Sequence, residues 1–245
     1  MRKFGLIGYP LSHSFSQKYF SHKFLREGIT DALYLNFPLS SIDALRPLIR
    51  SEPSLTGLNV TIPYKEQIID FLDFEDEIVK QTGASNCIKI KQGKCHGFNT
   101  DVAGFEQSLK KGLNAGHTKA LILGTGGASK AVEYVFRKIG IDYTIASRKP
   151  ASRRGLVGYE ELDAAFIRSH TLIINTTPLG MYPKTDEFPP LPYSDLTRHH
   201  YLFDLVYNPE KSLFLQKGEE RGAQVRNGFE MLRIQAEESW AIWNS

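Results

Sequence analysis

Between an apolar run, Ala120 to Leu123, and an amphipathic stretch lies Gly124-Thr125-Gly126-Gly127-Ala128-Ser129. Residues of these types at this spacing can bind the pyrophosphate of a dinucleotide. A tight turn and the close approach of backbone N–H groups both favour residues without a Cβ, with the positive end of a helix behind them. Gly124, Gly126 and Gly127 meet that need, and Ser129 stands where a third glycine usually lets helix and strand pack closely. At the end of the following strand, an NAD site carries an acidic residue for the ribose hydroxyls, here expected near position 147. The chain instead has Ser147-Arg148-Lys149-Pro150, followed by Arg153 and Arg154. An arginine there suits a 2′-phosphate, because its planar fork donates to phosphate oxygens and is always charged. The sequence predicts NADP rather than NAD.

Four further segments place polar groups where strands end: Ser12-His13-Ser14-Phe15-Ser16, Asn59 through Lys65, Ser85-Asn86-Cys87, and Asn99-Thr100-Asp101. Singly, each has an ordinary explanation. Ser12 and Ser14 suit helix N-caps, Asn99 or Asp101 could cap a connecting helix, and Lys65 could be a solvated lysine. Their joint order is more specific. The chain resembles the shikimate dehydrogenase family from its first strand to its final helix. Ser14-Phe15-Ser16 resembles the family's S-x-S element, and Asn59 to Lys65 meets N-V-T-x-P-x-K in full. Ala84-Ser85-Asn86-Cys87 is similar to A-x-N-T, and Asn99-Thr100-Asp101 to N-T-D. The likeness continues through Gly124 to Ser129, Ile174 to Met181, Asp204 to Pro209, Gly228 to Leu232, and Gln235-Ala236.

That resemblance implies an NADP-dependent oxidoreductase of aromatic amino acid biosynthesis, reversibly reducing 3-dehydroshikimate to shikimate. Ser14 and Ser16 would hold the substrate carboxylate. Asn59, Thr61, Asn86, Asp101 and Gln235 would hold ring hydroxyls, with Lys65 and Asp101 as the catalytic pair. Gly126, Gly127 and Ala128 would face the pyrophosphate, with Ser147, Arg148 and Lys149 at the adenosine phosphate. Thr176, Leu205, Tyr207 and Gly228 would border the nicotinamide side, Tyr207 reaching the substrate. In reduction, hydride attack builds negative charge on the carbonyl oxygen, and Lys65 would donate the proton there. In the reverse direction neutral Lys65 would act as base.

The chain departs from the family pattern at Gln17 in place of proline, Cys87 in place of threonine, and Val102 in place of glycine. The segment from Lys149 to Tyr159 is also short, which predicts a trimmed edge to the cofactor domain and leaves Arg153 and Arg154 without an assigned role. Two related enzymes compete with this reading: a quinate/shikimate dehydrogenase with wider substrate or NAD use, and a folate dehydrogenase of similar layout. A catalytically silent NADP-binding regulator competes from another class. Thr61 with the serine pair argues against the first. The complete Asn59 to Lys65 and Asn99 to Asp101 set argues against the second, and Lys65 with Asp101 against the third.

The elements that must position these groups follow from alternation of apolar runs with amphipathic stretches, the pattern of α/β layering. Strands are predicted at Phe4 to Gly8, Leu33 to Phe37 and Leu58 to Ile62. A helix is predicted over Ser14 to Arg26, a short one after Pro63, and another over Glu75 to Thr82. Asn86 to Lys91 and Lys94 to Phe98 read as a hairpin closed at Gln92-Gly93. Asp101 to Lys111 reads as a connecting helix. Strands at Ala120 to Leu123, Tyr143 to Ala146, Leu172 to Asn175 and Tyr201 to Leu205 should form an open parallel sheet. The helix after the glycine cluster carries Ala131, Val132, Val135, Phe136 and Ile139 as one stripe. The expected fold is α/β in two domains. Residues 1–100 form a substrate-binding, catalytic domain onto which the final helix, 229–245, folds back; residues 101–228 form a Rossmann-like NADP-binding domain.

Composition excludes several other classes. The 245 residues are 41% hydrophobic and 23% charged, ordinary for a globular enzyme. Thirty basic against 27 acidic residues leave a formal charge of +3, which gives no electrostatic reason to invoke nucleic acid or a membrane surface. Two cysteines, Cys87 and Cys95, are too few for a disulfide scaffold and lack metal-ligand spacing, so no metal is expected. The start of the chain reads straight into a strand, without the apolar stretch of a signal peptide, and no run approaches a membrane span. The expected protein is cytoplasmic, a monomer or homodimer acting on a small molecule.

Overall fold

The computed structural model describes residues 1–11, 15–148 and 155–245. Two units divide the chain, Met1–Thr100 with Gln235–Ser245, and Asp101–Ile234.

The first unit holds strands β1 (Arg2–Gly8), β2 (Ala32–Pro38), β3 (Leu55–Val60), β4 (Phe74–Glu75), β5 (Cys87–Lys91) and β6 (Lys94–Phe98). Its helices are α1 (Phe15–Arg26), α2 (Leu45–Ser51) and α3 (Glu77–Thr82). The sheet order is β2-β1-β3-β5-β6-β4. Strand β1 is parallel to both neighbours, while β5 runs antiparallel between β3 and β6. Parallel central strands are covered on both faces, which is why β1 is buried from Phe4 to Gly8 without alternation. The β5–β6 turn is the expected one: Gln92 and Gly93 have φ of 53° and 71°, the two positive angles a tight hairpin needs.

Sequence and structure differ here in several places. Glu75, expected to open a helix running to Thr82, pairs instead within β4 beside β6, and α3 starts at Glu77 behind its Asp76 cap. The short helix expected after Pro63 is a 3-10 turn over Gln67–Phe71. Strand β3 ends at Val60, so Thr61 lies beyond it and Ile62 is exposed. Helix α2 was not expected. Its sequence carries Pro47, which a helix tolerates only in the first turn, and it forms because Leu45 is buried among the β3 side chains.

The core between α1, β1 and β2 is aromatic. Phe20 and Tyr34 stack at 4.5 Å, and Phe4 stacks on Trp243 at 4.9 Å. Trp243 lies against bare backbone: a Cβ on Gly57 would come within 2.4 Å of its ring.

The second unit contains α4 (Asp101–Lys110), β7 (Lys119–Leu123), α5 (Gly127–Ile139), β8 (Asp142–Ser147), β9 (Leu156–Gly158) and α6 (Ala164–Ser169). It continues with β10 (Leu172–Asn175), β11 (Tyr201–Asp204), α7 (Leu213–Glu219) and β12 (Gln224–Arg226). Helix α8 (Phe229–Asn244) starts in this unit, and its last turns belong to the first. The sheet order is β12-β11-β10-β7-β8-β9, parallel throughout. The chain moves outward from β7 to β9, then returns to β10 and continues in the opposite direction. That reversal makes a topological switch point between β7 and β10, where ligands of such sheets bind beyond the strand ends.

The stripe on α5 is buried at Ala131, Val132, Val135 and Phe136. Strands β9 and β12, three residues each, add two edges that periodicity did not reveal. The register Ile145↔Leu156 places β9 directly beside β8, although β8 ends only at Ser147. Lys149, Arg153 and Arg154 lie outside the described residues.

Candidate active site

In the first unit, polar side chains meet at the ends of β3, β5 and β6 beside α8. Asn59 is 4% exposed and fully engaged. Its Oδ1 accepts from the Tyr34 hydroxyl at 2.8 Å, and its Nδ2 donates to Ser239 Oγ at 2.9 Å. Asn86 Oδ1 accepts from the Thr100 N–H at 2.7 Å, and Asn86 Nδ2 donates to Thr100 Oγ1 at 3.0 Å and Gln235 Oε1 at 3.3 Å. Thr100 Oγ1 lies 3.2 Å from Ser239 Oγ, closing the network. Amides and hydroxyls held this way present a fixed set of donors and acceptors, which suits a polyhydroxylated ring.

Ser16 sits in the first turn of α1 and reaches the same network through the Tyr34 hydroxyl. Burial pushes the Tyr34 phenol well above its ordinary value, so it serves as a neutral donor. Thr61 follows β3, its N–H donating to the Ile7 carbonyl at 2.9 Å. The half-buried Lys65 is anchored by its main chain: its carbonyl accepts from the Ser85 N–H at 2.8 Å. Asp101, 5% exposed, is the first residue of α4 and belongs to the second unit. Ser12, His13 and Ser14 lie outside the described residues.

The departures from the family pattern are accommodated. Gln17 accepts from Asn36 Nδ2 at 3.0 Å, and Val102 is buried. Cys87 faces Ser239 and Trp243, and burial pushes its thiol up to about 12, so it stays protonated.

In the second unit, Gly124 and Gly126 do different work. Gly124 has φ +102°, a region that strains any other residue, and a Cβ there would lie 2.9 Å from Thr177 Cγ2. Gly126 is extended at φ −78°, ψ 179° and forms the N-cap of α5 without a capping side chain. A Cβ built on Gly126 meets nothing within 4 Å. Open space before uncapped N–H groups at the start of a helix fits a pyrophosphate, with Gly127 and Ala128 supplying the first-turn donors. Ser129 is buried and folds back, donating from Oγ to the Gly126 carbonyl at 2.7 Å. Ser147 closes β8, and Arg148 follows it, exposed to solvent.

Across the switch point, Thr176 Oγ1 donates to the Leu123 carbonyl at 2.7 Å, and the Leu205 N–H donates to the Asn175 carbonyl at 3.0 Å. Gly228 is required by close approach: a Cβ there would stand 2.2 Å from the Leu205 carbonyl oxygen. Tyr207 is half-buried just beyond β11.

Tyr34, Ser239 and Asp204 carry structure around these sites and were not assigned roles from sequence. Ser239 follows Gln235 by one helical turn, a signal that was available. Asp204 lies in an element already noted for its likeness to the family, but its burial could not be read from sequence. Burial raises its carboxyl from an ordinary 3.8 to about 7, against the lowering effect of hydrogen bonds from Ser212, Val206 and Asn175. A carboxyl raised in the folded state is neutral there while the unfolded chain is already ionised. Its stabilising contribution is full below about pH 4 and is lost as pH rises through about 7, a swing of about 4 kcal/mol. Urea unfolding across that range should show this decline in the wild type and a flatter profile in Asp204→Asn. Identical profiles would contradict it.

Among the described residues, no group of three or more His, Cys, Asp or Glu is placed to hold a metal, and no helix is long and apolar enough to cross a membrane.

A parallel sheet with a glycine turn at its switch point, joined to a mixed α/β unit, defines a two-domain α/β protein of the Rossmann-containing class. Residues 6–88 match the model of the shikimate dehydrogenase substrate binding domain. The chain is 37% identical to shikimate dehydrogenase (NADP(+)) of Methanococcus maripaludis, over 98% of this chain and 90% of that protein. Shikimate dehydrogenase 1 from Peptoclostridium difficile superposes with a TM-score of 0.87 at 37% identity, covering 100% of this chain and 92% of that one. The Thermus thermophilus shikimate 5-dehydrogenase in complex with NADP(H) and shikimate gives 0.86 at 28% identity, covering 99% and 93%. The chain belongs to the shikimate dehydrogenase family.

Proposed function

We propose that the chain is an NADP-dependent oxidoreductase that interconverts 3-dehydroshikimate and shikimate, in the cytoplasm, within aromatic amino acid biosynthesis. The observation that carries this reading is the closed network of Asn59, Asn86, Thr100, Gln235 and Ser239, ready to orient a ring bearing several hydroxyls. The relatives named above supply the reaction and the cofactor. Two free, buried thiols, Cys87 and Cys95, support a reducing compartment.

Ser14 and Ser16 hold the substrate carboxylate, Ser16 from the first turn of α1. Asn59, Thr61, Asn86, Asp101 and Gln235 fix the ring hydroxyls, and Tyr207 reaches the substrate from the loop after β11. A bound nicotinamide supplies or accepts the hydride. Lys65 delivers the proton to the carbonyl oxygen as charge develops there, and takes it back in the oxidative direction. Asp101 partners Lys65. The Gly124 to Ala128 turn binds pyrophosphate, Ser147, Arg148 and Lys149 take the adenosine phosphate, and Thr176, Leu205 and Gly228 border the nicotinamide.

Initial rates with shikimate or quinate, against NADP or NAD, test the substrate and cofactor assignments together. Shikimate with NADP should be the preferred pair; preference for quinate with NAD would favour the broader enzyme instead. Arg148→Ala should raise the KM for NADP by roughly 10- to 100-fold, the worth of one or two charge-assisted hydrogen bonds, and leave that for NAD nearly unchanged. Equal losses with both cofactors would reject the phosphate role.

A further inference from the structure

Strand β11 ends in a carboxyl that is 0% exposed, and three donors converge on it. Asn175 Nδ2 donates to Asp204 Oδ1 at 2.9 Å and the Val206 N–H to the same oxygen at 3.0 Å, while the Ser212 hydroxyl donates to Oδ2. Ser212 is the N-cap residue of α7, yet it makes no side-chain bond to its own helix. Its hydroxyl goes to Asp204 instead. Asn175 is held from its other side, where Oδ1 accepts from the Thr177 N–H at 3.0 Å and the Thr177 hydroxyl at 2.6 Å.

One buried carboxyl thus ties the end of β10, the loop after β11 and the start of α7. A well-packed apolar residue would usually serve stability as well or better than a buried ionisable group. What the carboxyl adds is geometry. Thr176 lies between Asn175 and Thr177, both in the network, and Leu205 lies between Asp204 and Val206. The Leu205 N–H is further pinned by the Asn175 carbonyl at 3.0 Å.

We propose that Asp204, with Asn175 and Ser212, is a positioning residue for the nicotinamide end of the cofactor site, acting through Thr176 and Leu205. This rests on the dinucleotide reading of the second unit given above. Tyr193 is a titratable group that shares the surroundings of Asp204, and burial holds its phenol far above the ordinary range, so it stays neutral. Burial likewise lifts the Asp204 carboxyl to about 7, which makes the network sensitive to pH in the working range.

The test is NADPH binding by fluorescence titration at about pH 6 and about pH 8, with amide hydrogen exchange on the free protein. Asp204→Asn keeps the shape but fixes a neutral, donating group where the wild type has an all-acceptor carboxylate at about pH 8. At about pH 8 it should weaken NADPH at least about tenfold and speed exchange at Val206, and it should remove the pH dependence between the two conditions, while shikimate affinity changes less than about twofold. Ser212→Ala, which leaves the carboxyl in place, should shift NADPH affinity and exchange in the same direction, and it carries the test if Asp204→Asn does not fold. Folded variants that bind NADPH like the wild type, with only a lower melting temperature, overturn the positioning role. Wild type that fails to bind NADPH at all overturns the dinucleotide reading, and this inference with it.

Discussion

Lys65→Met is expected to lower turnover with NADPH by roughly 10²- to 10⁴-fold, the usual contribution of a placed proton donor, while substrate still binds. Methionine keeps an unbranched apolar stem out to Cε and removes the ammonium. The fold should survive, because the Lys65 carbonyl accepts from the Ser85 N–H at 2.8 Å, a main-chain bond that any residue retains. Substrate orientation is shared among Asn59, Thr61, Asn86, Asp101 and Gln235, which the substitution leaves in place. Steady-state kinetics separate the effects: kcat should fall and the substrate dissociation constant should stay close to that of the wild type. A folded variant with near-normal turnover would remove Lys65 from the chemistry.

Trp243→Ala is expected to cost about 3–5 kcal/mol of stability, the range for emptying a buried tryptophan site. The indole is 3% exposed, stacked on Phe4 at 4.9 Å and 5.5 Å from the Phe20 ring. It fills the space that the missing side chain of Gly57 leaves open over β3. Its Nε1 also donates to the Ile88 carbonyl at 3.0 Å, a hydrogen bond lost on truncation. The damage should extend to the site. Phe20 stacks on Tyr34, and the Tyr34 hydroxyl orients Asn59, so a loosened ring cluster should also raise the KM for shikimate. Trp243→Phe keeps most of the packing and should cost about 1–3 kcal/mol, for the lost hydrogen bond and the smaller ring. Denaturant midpoints and substrate KM measured together check both effects. A loss below about 1 kcal/mol for the alanine variant, with unchanged KM, would show that Trp243 is not the post it is taken to be.

The sequence was legible where one local pattern decides one element. The stripe on α5, the apolar runs of β7, β10 and β11, and the two-residue turn at Gln92-Gly93 all record local geometry. Elements held by neighbours were harder to see. Strands β9 and β12 are too short to show a period and exist because β8 and β11 offer them edges. Helix α2 hides behind Pro47 and depends on burial of Leu45.

The sites divide in the same way. Motif residues such as Asn59, Lys65, Asn86 and Asp101 could be read in order along the chain, but their partners could not. Tyr34 and Ser239 meet at Asn59 from 25 and 180 residues away. Separation of that kind leaves no spacing to read. The glycines were identified as a group, and only the backbone shows that Gly124 answers to a positive φ while Gly228 answers to the Leu205 carbonyl.

The central claim concerns one ammonium group and one ring oxygen, and a crystal structure with shikimate and NADP bound measures their separation directly. The account predicts Lys65 Nζ within about 3.2 Å of the hydroxyl oxygen on the carbon that faces the nicotinamide. A lysine side chain turned into solvent, with another group donating to that oxygen, would contradict it.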